Sequence, residues 1–152
     1  MEFIEFLDKT EVEIIKIIEI AGYRTVENTK LCLLSKNYVG FLDRQKKEII
    51  ICTNNAKKRE VYTLLRNKDS EKFERTALHI KKAVRHEAVH VAQECNGGNL
   101  LKPKKNFSMK LSKMKALKGS IRISGEIEKE KEAYILEDKP KIIKEELKKY
   151  CL

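Results

Sequence analysis

From about Ser70 to Glu94 the chain holds neither Gly nor Pro, and its apolar residues recur at helical spacing. Val84, Ala88, Val91 and Cys95 fall at i, i+4, i+7 and i+11, one stripe along a helix, with Lys81, Lys82 and Arg85 off that stripe. Asn96-Gly97-Gly98-Asn99 then ends the run, because Gly at a helix carboxyl end adopts the left-handed conformation that closes it. A helix of this length fixes the plan of a small domain: everything else in 152 residues must pack on it.

The segments on either side are shorter. Val12, Ile15 and Glu19 share one helical face, with Ile14, Ile18 and Ala21 beside it and Gly22 as the stop. Strands are predicted over Lys30–Ser35, Tyr38–Leu42 and Glu48–Thr53; Asp43 to Lys47 connects the last two, and Asn54-Asn55 breaks the pattern. A short amphipathic helix is predicted from Ser108 to Lys118, ahead of Gly119. Ser124 is the predicted N-cap of another helix reaching Glu137, and Pro140 suits the first turn of a last one ending near Cys151. The expected fold is α+β, in one domain covering residues 1–152. A small antiparallel sheet packs on the long helix, with further helices at both ends.

Composition narrows the function. No stretch is long and apolar enough to span a bilayer: Ile14 to Ile20 is interrupted by Lys16 and Glu19. The first residues, with Glu2, Glu5 and Asp8, lack the basic region of a secretory signal, so a cytoplasmic protein with no membrane partner is expected. Cys32, Cys52, Cys95 and Cys151 form no Cys-x-x-Cys pair and read as small apolar residues in a reducing compartment. Charge is uneven within the net +10: residues 1–22 carry six acids against two lysines, whereas Lys102 to Lys118 holds seven lysines and no acid. That basic segment can contact phosphates or an acidic protein, or stand as solvated surface. No aromatic ladder or helix-turn-helix pattern supports base reading.

The chemistry lies inside the long helix. His86 and His90, four residues apart, project from one face with Cβ atoms roughly 5–6 Å apart, and both imidazoles can reach one metal. Glu87 sits about 100° around the helix from His86, beside such a metal, where a carboxylate can take a proton from metal-bound water without becoming a ligand. Two histidines and a water leave one tetrahedral position. His79 is two turns from His86, about 10 Å away by helical rise, and is assigned to packing or support. In the next predicted helix Glu130 shares a side with Ile123, Ile127, Ala133 and Tyr134, while Glu128 and Glu132 point toward solvent. A carboxylate on the core side is costly unless paired or metal-bound, which makes Glu130 the candidate third ligand and Glu126 the reserve.

His86-Glu87-Ala88-Val89-His90, followed some forty residues later by Glu130-Lys131-Glu132-Ala133, resembles the gluzincin pattern of zinc metallopeptidases. The segments Gly40-Phe41-Leu42-Asp43 and Lys47-Glu48-Ile49-Ile50-Ile51 resemble the strand pair above the active-site helix in minimal members, including SprT-like enzymes and phage-repressor-cleaving regulators. The resemblance is strongest over residues 38–138. It implies Zn2+ held by His86, His90 and Glu130, Glu87 as general base, and a peptide or protein substrate pairing with an edge strand at Phe41–Leu42 or Glu48–Cys52. Tyr134 stands where the pattern often has Asn or Asp, and is the candidate oxyanion donor. Two readings compete with a peptidase. One is a non-catalytic zinc-containing regulator or binding module that uses Lys102–Lys118 to engage nucleic acid or an acidic protein. The other is a metal-free helical adaptor.

Overall fold

The computed structural model describes residues 1–59, 69–104, 107–124 and 126–152. The fold is α+β. A 3-10 turn, Glu2–Phe6, leads into α1 (Lys9–Ile20), which opens on a capping box between Asp8 and Glu11. Then come β1 (Arg24–Glu27), a second 3-10 turn (Lys30–Leu33), β2 (Gly40–Asp43) and β3 (Glu48–Ile51). The rest is helical: α2 (Thr53–Arg59), α3 (Asp69–Cys95), α4 (Leu111–Ser124), α5 (Ile127–Leu136) and α6 (Pro140–Cys151).

The long helix α3 is the axis. Sheet strands β2 and β3 lie on one side of it, and α1, α5 and α6 pack around the rest. Ile80, Val84, Ala88 and Val91 are buried along its inner stripe among Ile14, Ile18, Ile49, Ile51, Ile143 and Leu147. Its end is as the sequence predicts: Gly97 and Gly98 both have positive φ, and Gly98 N–H returns to Gln93 O.

The sheet departs from expectation in two ways. It is mixed rather than antiparallel, with order β1-β3-β2; β3 pairs antiparallel with β2 and parallel with β1. β1 is only four residues long and alternates weakly, so its identity comes from the partner and not from its own pattern. Lys30–Ser35, predicted as a strand, instead folds as a 3-10 turn followed by irregular chain. Asn55 explains why: its Nδ2 donates to the carbonyls of Cys32, Ser35 and Tyr38, groups that a strand would have offered to a ladder. Asn54-Asn55 accordingly sits within α2 rather than in a break.

Other boundaries move too. α4 runs through Gly119 to Ser124, so Ser124 ends that helix and Glu126 takes the cap position of α5. Lys105 of the basic segment and Gly125 lie outside the described residues. The cysteines also differ from expectation. Cys32 is bonded to Cys52 and Cys95 to Cys151, pairs 20 and 56 residues apart that no local motif reveals. The second bridge ties α6 to the end of α3. In the chain-entropy model, loops of these lengths stabilise by about 3 and 4 kcal/mol respectively. Among the described residues, no helix is long and apolar enough to cross a membrane.

Candidate metal centre

α3 and α5 supply the centre. His86 and His90 project from the same face of α3, and α5 crosses it with Glu130 inward, buried together with both histidines. His86 Nε2 lies 3.1 Å from Glu130 Oε2, and His90 Nε2 lies 3.1 Å from Glu130 Oε1. One ligand atom from each of the three residues falls within 4.8 Å of the others. Glu126, the reserve candidate, is elsewhere: its carboxylate pairs with Arg44 at 2.8 Å and Lys129 at 3.0 Å. His79 is half-buried two turns before His86 on α3 and outside this cluster.

The remaining ring nitrogens decide what the cluster can hold. His86 Nδ1–H donates to Glu137 Oε2 at 3.0 Å. His90 Nδ1 faces Gln93 Oε1 at 2.8 Å. The Gln93 amide cannot be reversed, because its Nε2 donates to Lys129 O at 3.2 Å and Glu132 Oε1 at 3.0 Å, both acceptors. Both imidazoles thus carry their proton on Nδ1 and turn the Nε2 lone pair toward the Glu130 carboxylate. Three acceptor groups then converge with no donor of their own, an arrangement that a cation or added protons must satisfy. Without a cation, a proton on His86 Nε2, shared with Glu130 Oε2 at 3.1 Å, fills that role. Burial opposes a charge on His86, yet its bonds to Glu130 and Glu137 raise its pKa to about 10, and the histidines hold the Glu130 carboxyl far below the usual range against its burial. The donor set of two neutral imidazoles and one carboxylate suits zinc with a position left open.

Glu87 is buried beside the cluster, and burial pushes its carboxyl pKa up against the pull of His86 and His90. Gly40 of β2 packs against Glu87. A Cβ there would stand 3.1 Å from Glu87 Cγ, Glu87 Oε1 and Ala83 Cβ, so glycine lets the strand approach the helix over the general-base candidate. Gly40→Ala is therefore expected to displace the Glu87 side chain or the β2 strand by a few tenths of an ångström, as a crystal structure of the variant would show. An unmoved Glu87 and β2 in that variant would mean that this contact does not set their positions.

A cleft of about 280 Å³ opens over the cluster, lined by His86, Glu87, His90 and Glu130 together with β2 residues, Tyr38, Arg44 and Ser120 of α4. β2 is an edge strand; Glu48–Cys52, the other predicted edge, is central. Cys52 N–H donates to Val39 O, which sets the alternation of the β2–β3 ladder. The N–H and C=O groups of Gly40 and Leu42 consequently point away from β3, toward the unpaired side. Tyr134 packs its ring against His86, centroids 4.4 Å apart, but its hydroxyl bonds Ser120 Oγ at 2.6 Å. Burial lifts its pKa to about 12, with the Ser120 bond acting the other way. Of the two hydroxyls, Ser120's belongs to a cleft-lining residue.

The sequence reading did not single out Gln93, Glu137, Lys113, Ser120 or Arg44. Two of these carried a signal: Gln93 is three residues on from His90, and Glu137 two helical turns on from Glu130, so each shares a face with a ligand. Two further assignments change. Glu132 does not point to solvent; it accepts from Leu101 N–H, Lys102 N–H and Gln93. Ile127, expected on the packed side with Glu130, is 53% exposed. A family model described as a domain of unknown function (DUF8637) matches residues 3–152. No curated protein and no solved structure matches the chain.

Proposed function

This chain belongs to the DUF8637 family, and we propose that it is a zinc-dependent peptidase acting on extended peptide segments. The observation that carries the reading is the convergence of two Nε2 lone pairs on the buried Glu130 carboxylate, with Glu87 beside them and an open cleft above. His86, His90 and Glu130 would hold the metal, which would supply a Lewis acid and acidify water. Glu87 takes the proton of the attacking water at its carboxylate. The outward-facing N–H and C=O groups of Gly40 and Leu42 pair with the substrate backbone, holding it as an added strand. Tyr134 supports the oxyanion through Ser120, whose hydroxyl it polarises.

The test is a broad library of unfolded peptides, incubated with the zinc-loaded protein and read by mass spectrometry. Cleavage should cease on chelation and return with zinc. A zinc-replete chain that cleaves nothing would support the second reading, a non-catalytic zinc-containing regulator. That reading draws on Lys102, Lys104, Lys110, Lys115 and Lys118, all exposed, whereas Lys113 is buried. In that case binding of DNA, RNA or an acidic protein should weaken steeply with salt, and Lys115→Gln with Lys118→Gln should flatten the slope. The compartment follows from the cysteines. Four free thiols after rapid alkylation would support the cytoplasmic address read from the sequence, and two bridges would place the chain in an oxidising one.

A further inference from the structure

α4 packs principally on α5, and its polar attachments converge on one residue of the metal cluster. Lys113, only 9% exposed, reaches from α4 to the carboxyl end of α5. Its Nζ donates to Tyr134 O at 2.7 Å, Glu137 Oε1 at 2.8 Å and Asp138 Oδ2 at 2.6 Å. Seven residues further along α4, Ser120 Oγ meets the Tyr134 hydroxyl at 2.6 Å. Both attachments end on His86. Glu137 uses its other oxygen to hold His86 Nδ1–H, and the Tyr134 ring lies edge-on to the His86 ring. His90 is braced separately, by Gln93 of its own helix.

We propose that docking of α4 is coupled to metal occupancy through His86, so that zinc binding sets the α4 wall of the cleft in place. The inference rests on the zinc reading above. A metal on Nε2 fixes the ring and its tautomer, and with them the position of the Glu137 oxygen on Nδ1–H. Glu137 cannot shift without disturbing the buried Lys113 ammonium, which tolerates burial only while its carboxylate partners stay in place. Linkage makes the effect reciprocal: whatever loosens Lys113 weakens zinc, and loss of zinc loosens α4. α4 also brings Ser120 to the cleft, so its docking completes the site as well as covering it.

The experiment is hydrogen exchange on the full chain, zinc-loaded and chelator-stripped, with zinc affinity measured alongside. Amides of Leu111–Ser124 are expected to exchange at least tenfold more slowly with zinc, while those of Lys9–Ile20 stay unchanged. Lys113→Met should abolish the zinc dependence and lower zinc affinity by about 10–100-fold. Lys113→Arg, which keeps the charge, should restore part of both. Ser120→Ala breaks the other attachment at a less buried position and should shift both readouts in the same direction by less. A wild type that binds zinc with α4 exchange unaltered would overturn the coupling alone. So would folded Lys113→Met and Ser120→Ala proteins with wild-type zinc affinity. A wild type that binds no zinc would overturn the metal reading and the coupling together.

Discussion

Glu87→Gln is expected to keep its zinc and to lose peptide hydrolysis by a factor of about 10²–10⁴. The substitution preserves the size and hydrogen-bonding shape of the side chain but removes the ability to take a proton. Nothing in the cluster geometry depends on Glu87 as a ligand: the three convergent groups are His86, His90 and Glu130. Replacing a buried carboxyl of raised pKa with an amide also removes a burial cost, so the variant should be at least as stable as the parent. Zinc content and library cleavage, measured on the same preparation, separate the two effects. Equal cleavage by both proteins would mean that the hydrolysis comes from a contaminant or from a different base.

Glu130→Gln should weaken zinc binding more than the 10–100-fold typical of an outer-shell partner, because it removes the anionic ligand that both histidines face. Glu126→Gln should leave affinity unchanged, since Glu126 is engaged by Arg44 and Lys129 on the surface. Glu132→Gln belongs between them. The sequence reads Glu132 as a solvent-facing residue, yet it supports the Gln93 amide that holds His90, so a modest loss is expected. A competition titration with a chelator of known affinity ranks the three. Equal affinities for Glu130→Gln and Glu126→Gln would remove Glu130 from the ligand set.

The parts of this chain legible in its sequence are those with a strong local signal. The long helix, its Gly97-Gly98 stop, Pro140 at the start of α6 and the His86–His90 spacing each follow from helical periodicity or backbone chemistry. The burial of Glu130 is legible because it shares a helix face with Ala133 and Tyr134, although Ile127 on that face is exposed. What escaped depends on partners distant in sequence. β1 is a strand because β3 lies beside it, and Lys30–Leu33 is not one because Asn55 takes the neighbouring carbonyls. The two disulfides join residues that only the tertiary fold brings together. Lys113 reads as one more lysine in a basic run, and only the packing of α4 against α5 makes it a buried cation with three acceptors.

Elemental analysis of the chain purified without added metal tests the central claim most directly, carried out on wild type and on His86→Ala/His90→Ala. The account predicts one zinc per wild-type chain and none in the double variant, with both proteins folded by circular dichroism. Wild type without metal that fails to take up added zinc, or a double variant that retains a full equivalent, would contradict it.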